Sequence, residues 1–123
     1  MRLTKYGNKK VVYDGILFDS KKELSRYKVL KILEKNGTIS DLRLQVSYEL
    51  IPTIYETKFV QLKTKTKEVT RVAQKAVHYV ADFVYKDENG NEIVEDAKGV
   101  RTKEYILKKK MMRAFLGIAI KEV

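Results

Sequence analysis

The sequence predicts one α/β domain whose core runs helix, strand, strand, strand, helix, strand, behind a basic arm and a short hairpin. Three observations carry this expectation. Two amphipathic stretches, each opened by a capping residue and followed by glycine, read as helices. Nine residues of strict apolar–polar alternation read as a strand, and two β-branched, aromatic runs around a turn-rich knot read as a hairpin. A chain of 123 residues buries a real core without covalent staples, so residues 1–123 are taken as a single domain, 1–19 as arm and hairpin and 20–123 as core.

Taken in order, the first ten residues are basic and aperiodic and form the arm. Val11–Phe18 holds two short apolar runs joined by Asp14-Gly15, a strong tight-turn dipeptide. Ser20-Lys-Lys-Glu23 matches a capping box, so a helix begins at Ser20, with Leu24, Tyr27, Leu30 and Leu33 on its apolar side, Val29 and Ile32 widening the stripe, and Gly37 as its stop. Leu42, Leu44, Val46, Tyr48 and Leu50 then alternate with polar residues, which predicts a long strand with one buried face, ended by Pro52. Ile54–Leu62 reads as a weaker strand. Lys63, Lys65 and Lys67 follow on one side of an extended segment, giving a projecting basic ribbon or loop.

The central hairpin pairs Val77–Tyr85 with Ile93–Ala97. Thr102 caps a second helix whose apolar side is Tyr105, Met112 and Phe115 with Ile106, Met111 and Leu116; Gly117 stops it, and Ile118–Ile120 reads as a final strand.

Composition narrows the function. There are 26 Lys and Arg against 16 Asp and Glu, a net charge of +10, which favours a polyanionic partner, nucleic acid first. Zero cysteines exclude disulfides and thiolate metal sites and suit a reducing cytoplasm. No apolar run is long enough to span a membrane, and the amino terminus has no apolar signal region. Phosphate-binding glycine loops, dinucleotide fingerprints and zinc-protease motifs are also absent.

The chemistry is concentrated in the central hairpin. Asp82 interrupts the first run, and Asp96 and Lys98 end the second. Burying an isolated carboxylate is costly unless it is paired or binds a metal. Asp96 and Lys98, two apart on a strand, share a face. Whether Asp82 joins them depends on the turn: a two-residue Asn89-Gly90 turn sets Asp82 against Ala97, loop 89–91 sets it against Lys98, and loop 87–91 sets it against Asp96. Two carboxylates and a backbone carbonyl, that of Ala97, are hard oxygen ligands suited to Mg²⁺ or Mn²⁺, and a lysine beside them offsets charge on a phosphate. An ordinary salt-bridged hairpin surface also satisfies the D-x-K spacing. Glu95 points to the other face. Gln45, opposite the buried stripe of its strand, faces solvent or supports the site, solvent being favoured, and His78 is assigned to a structural role.

The stretches F-D-S-K-K-E, Y-V-A-D-F-V-Y and V-E-D-A-K-G, with the element order above, resemble the PD-(D/E)xK nuclease superfamily, within it small phage-encoded endonucleases similar to endonuclease I-type Holliday-junction resolvases. The resemblance covers residues 6–123; Ala81 stands where that pattern often has proline. It implies a restriction-endonuclease-like core and catalytic residues Glu23, Asp82, Asp96 and Lys98. Metal ligation falls to Asp82, Asp96, Glu23 and the Ala97 carbonyl, with Mg²⁺ or Mn²⁺ as cofactor. The substrate implied is DNA, branched duplex in particular, the assembly a homodimer, and the location a host-cell cytoplasm. The basic segments assigned to phosphate backbones contribute Lys63, Lys65, Lys67, Arg71 and Lys75, and Arg101, Lys103, Lys108, Lys109 and Arg113. Two alternatives stay open: a non-catalytic DNA-binding protein on a nuclease-like fold, and a nuclease of linear duplex or DNA ends.

Overall fold

The computed structural model describes residues 9–98 and 100–123, so most of the expected basic arm, residues 1–8, lies outside the described residues, as does Gly99. Val11–Tyr13 (β1) and Ile16–Phe18 (β2) form the first hairpin, with Tyr13 opposite Ile16. Its two-residue turn places Asp14 and Gly15 at φ 54° and 74°, the left-handed region that such turns demand. Helix α1 spans Lys21–Lys35. Ser20 caps it by accepting the Glu23 N–H at 3.1 Å, and Gly37, at φ 80°, follows the C-cap Asn36.

The main sheet has the order β3-β6-β7-β8, from Ser40–Ile51 (β3), Val77–Lys86 (β6), Glu92–Asp96 (β7) and Lys121–Glu122 (β8). The first three strands are antiparallel and β8 joins β7 in parallel. Helix α1 covers one face, packing Tyr27 and Leu30 on Phe83 and Tyr85. Helix α2, Lys103–Leu116, covers the other, with Tyr105 and Met112 on Val84 and Val94. A sheet covered on both faces buries alternate residues into opposite clusters. Glu95 is therefore buried under α1, where Arg26 grips it with two 2.7 Å hydrogen bonds and the Tyr85 hydroxyl donates a third at 2.8 Å.

The expected single buried face of β3 is corrected. Leu42 and Leu44 pack into the α1 cluster, whereas Val46, Tyr48 and Leu50 pack into the α2 cluster. Across the ladder, Ala81 and Phe83 divide in the same way. The change falls at Gln45, whose φ of 53° turns the strand over while Leu44↔Phe83 and Val46↔Ala81 keep their pairing. An alternation read from hydropathy is blind to such an inversion, because both faces are apolar-lined.

Between β3 and β6 the chain leaves the sheet as a separate two-stranded ribbon, Ile54–Gln61 (β4) and Thr66–Gln74 (β5). The ribbon was expected, but its lysines are not aligned along an extended run. Leu62 N–H donates to the Lys65 carbonyl at 2.8 Å, so Lys63 and Lys65 belong to the tip and only Lys67 lies on a strand. Cross-strand partners share a face. Lys67, Arg71 and Lys58 thus lie on one side, with Tyr55, Phe59 and Val72 on the other.

Three smaller expectations are also corrected. Val29 and Ile32 stay exposed, outside the cluster that Tyr27 and Leu30 form with the sheet. On α2, Ile106, Phe115 and Leu116 are exposed and only Tyr105 and Met112 are buried. The last strand is Lys121–Glu122 rather than Ile118–Ile120, because Ile118 and Ile120 are taken by the α2 cluster and pairing with β7 begins after them.

Candidate active site

The hairpin register decides whether a site exists. Glu92 pairs with Lys86 and Glu95 with Phe83, so the loop is 87–91. This is the one alternative that sets Asp82 directly against Asp96. Asp87 holds the long loop together: its carboxylate accepts the Asn89 and Asn91 N–H groups, both at 2.9 Å.

Around that pair the expected residues gather. Asp82 Oδ2 accepts the Ala97 N–H at 2.9 Å, and Oδ1 lies 3.5 Å from Gln45 Nε2. The same amide nitrogen is 3.3 Å from Glu23 Oε1, drawing in the carboxylate from the first turn of α1. Asp96 is fully buried; its Oδ2 accepts the Tyr79 hydroxyl and lies 3.4 Å from Lys98 Nζ. Lys98 is itself placed by packing, with its ammonium 4.6 Å over the Tyr105 ring and its carbonyl accepting from Lys22 at 2.8 Å. Glu23, Asp82, Asp96 and Lys98 thus come together. Ala97 contributes its N–H to the cluster.

Sequence reasoning left two members out of the site. For Gln45 it favoured solvent over a supporting role on the assumption of unbroken alternation, and the left-handed residue that invalidates it is Gln45 itself. Tyr79, three residues before Asp82, stood unremarked in the Val77–Tyr85 run; burial and its bond to Asp96 raise its pKa far above the ordinary tyrosine range. His78 is exposed and pairs across to Glu49, outside the cluster.

Three carboxyl groups in one small volume cannot all ionise freely. Burial raises the Asp82 pKa first, the neighbouring Asp96 carboxylate next, and the Glu23 charge after that, to about 8. Glu23 is raised too, by burial and then by the charges of Asp19 and Asp96, against the pull of Lys98. Asp82 therefore holds a proton near neutrality.

This has a measurable consequence. The folded chain keeps a proton that the unfolded chain releases near 3.8, so folding stability falls as pH rises from about 4 to about 8. Urea unfolding in EDTA at pH 6, 7 and 8 should show declining stability. A divalent cation held at Asp82 would have to displace this proton, so any Mn²⁺ affinity should strengthen over the same range by up to roughly tenfold per pH unit. Stability that is flat or rising across this window contradicts a proton held on Asp82.

The donor set fits a hard divalent cation. Asp96 Oδ1 is buried with no hydrogen-bond partner, an arrangement worth about 1–3 kcal/mol if left unsatisfied. Carboxylate oxygens beside it are the ligands that Mg²⁺ and Mn²⁺ prefer. Among the described residues no three His, Cys, Asp or Glu side chains lie at metal-holding separation. Glu23 and Asp82 are spaced by the Gln45 amide, and Asp96 is turned toward Tyr79 and Lys98.

The basic residues fall into two sets. Lys63, Lys65, Lys67, Arg71 and Lys75 are exposed on and around the ribbon, with Arg71 paired to Glu56 across it. Arg101, Lys109 and Arg113, joined by Lys110, line a cleft of about 340 Å³ between α2 and the approach to β8. Glu122 accepts from Lys109 at 2.8 Å and sits 3.1 Å from Arg101, and these cations hold its carboxyl below the usual range. Glu122 pairs with Asp96 in the β7–β8 register, so the basic cleft is one strand from the acidic cluster. Lys108 pairs with Glu104 at 3.0 Å, and Lys103 is exposed at the start of α2.

Fold and site together define a mixed α/β protein, mostly sheet in its core with two helices, carrying a buried acidic cluster with one lysine. The chain belongs to the family described as Protein of unknown function (DUF1064), whose model matches residues 3–117 and so spans every member of the cluster. No curated protein and no solved structure matches it. Among the described residues no helix is long and apolar enough to cross a membrane.

Proposed function

We propose that this protein is a metal-dependent DNA endonuclease with a PD-(D/E)xK-type site, acting on branched duplex as a homodimer. The observation that carries the reading is the register of the central hairpin. It sets Asp82 against Asp96 beside Lys98, with Glu23 reaching in from α1 and Asp96 Oδ1 left without a partner. The element order α1, β3, β6, β7, α2, β8, with the ribbon inserted after β3, supports it. So does the excess of basic residues, held on the ribbon and in the cleft beside the acidic cluster.

Asp82, Asp96 and Glu23 would hold the cation, with the Ala97 carbonyl as a further oxygen. When bound, Mg²⁺ or Mn²⁺ neutralises charge at a phosphate and lowers the pKa of water. The chain's own part is to exclude bulk water from Asp96, to place the carboxylates, and to present Lys98 Nζ where negative charge develops. In the hydrolysis, water's oxygen bonds to phosphorus as one ester oxygen leaves with a proton, giving a phosphomonoester and a free hydroxyl. Lys98 stabilises the charge that builds on the phosphoryl oxygens, or orients the water. The basic segments grip flanking phosphates without reading sequence.

Cleavage of four-way junction, flap, single strand and linear duplex, side by side in Mg²⁺ and in EDTA, tests the proposal. Mg²⁺-dependent cutting concentrated at the junction is expected. Binding without cutting under any divalent metal refutes it in favour of a non-catalytic DNA-binding protein. Preferential cutting of linear duplex or ends refutes the branch preference alone.

A further inference from the structure

We infer that Gln45 is a positioning residue of the acidic cluster, its side-chain amide holding the Glu23 and Asp82 carboxylates at the spacing from which a divalent cation takes them; this rests on the metal reading above. Gln45 stands in the middle of β3, yet its φ of 53° lies in the left-handed region that non-glycine residues avoid. Such a conformation costs on the order of 1–3 kcal/mol and persists only where its surroundings enforce it. The pairs on either side, Leu44↔Phe83 and Val46↔Ala81, are regular, so the distortion is confined to one residue.

What the distortion achieves is specific. It inverts the strand at the level of Asp82 and delivers Nε2 to within 3.3 Å of Glu23 Oε1 and 3.5 Å of Asp82 Oδ1. A primary amide carries two N–H groups, one for each carboxylate. It carries no charge, so it gathers two anions without neutralising them, whereas a lysine there would compete with the cation. The two carboxylates also differ in their need for support. Asp82 is already held by the Ala97 N–H, on a short side chain fixed to the sheet. Glu23 extends from a helix on a longer side chain, and its side-chain partner is Gln45. Without that amide Glu23 loses its tie to the strand that carries Asp82.

The test uses Gln45→Gly in the full chain. Glycine adopts positive φ freely, so it removes the amide while relieving the backbone, and a purely structural role predicts no cost in metal binding. The Mn²⁺ dissociation constant, read by electron paramagnetic resonance, should weaken by about tenfold, as losses of groups that orient metal ligands do. Urea unfolding in EDTA should be unchanged or shifted upward. Unchanged Mn²⁺ affinity overturns this inference alone. Weakened affinity accompanied by a clear loss of stability assigns Gln45 to the fold and also overturns it. A wild-type chain that binds no Mn²⁺ overturns the metal reading of the cluster, and this inference with it.

Discussion

Asp82→Asn should stop cleavage while leaving junction binding intact. The change keeps the side chain's size and its reach to the Ala97 N–H, but removes the charge that, on the proposed function, would attract a cation. Asp96→Asn does the same on the neighbouring strand, and Lys98→Ala removes the ammonium beside Asp96 Oδ2. Each should lower turnover by about 10²-fold or more, the scale at which a few kcal/mol of transition-state stabilisation is lost. Binding measured in Ca²⁺ or EDTA should persist, and should tighten for the two carboxylate changes, because phosphate then meets less negative charge. Glu88→Gln, on the exposed hairpin loop, is the control and should retain activity. Near-wild-type Mg²⁺-dependent cleavage by folded Asp82→Asn protein refutes the site.

Glu95→Gln, one residue from Asp96, should fail in a different way: through stability. Glu95 is fully buried on the α1 face and takes both Arg26 nitrogens and the Tyr85 hydroxyl. Neutralising it leaves Arg26 mostly buried without a counter-charge, a loss of about 3 kcal/mol. For a chain of this size that is a fall in Tm of roughly 10 °C. Calorimetry in EDTA reads it directly, and activity per folded molecule should be little changed at a temperature where the variant remains folded. Asp82→Asn should have the opposite sign above pH 8, where the wild type carries a destabilising buried charge and the amide does not. Equal stability of wild type and Glu95→Gln would mean that the Arg26 pair contributes nothing.

The contrast between Glu95 and Asp96 shows what the sequence made legible. Adjacent residues on a strand face opposite ways, so placing Asp96 on the face of Lys98 and Glu95 on the other followed from spacing alone. The capped starts of α1 and α2 were legible for a similar reason, because Ser20 and Thr102 act within one turn. Gln45 was not. Its role depends on a single backbone angle in β3, and nothing in an unbroken alternation of Leu42, Leu44, Val46 and Tyr48 signals it. The loop between β6 and β7 lay between these cases. Residue types at 87–91 fit several turns, and the choice was made by pairing Val84 with Val94 and Tyr85 with Ile93, each pair inside a common core. The placement of Ile118 and Ile120 was illegible for the same reason: apolar residues show that they are buried, and not whether a strand or a helix takes them.

The ribbon also bears on how this chain reaches its fold. The pairing of β3 with β6 joins segments far apart in sequence, a contact that normally carries a large loop-closure penalty and slows folding. Here the intervening chain is itself a ladder. It begins at the turn closed by Leu62 and Lys65, runs to Ile54↔Gln74, passes the bond from the Ala76 N–H to Thr53 Oγ1 at 3.2 Å, and meets Ile51↔Val77 at the end of the main sheet. A hairpin nucleated at residues 62–65 can therefore zip from the tip into the core, and no step need close more than a few free residues. An appendage that buries almost nothing in the finished protein thus supplies a short path to its most distant strand pairing.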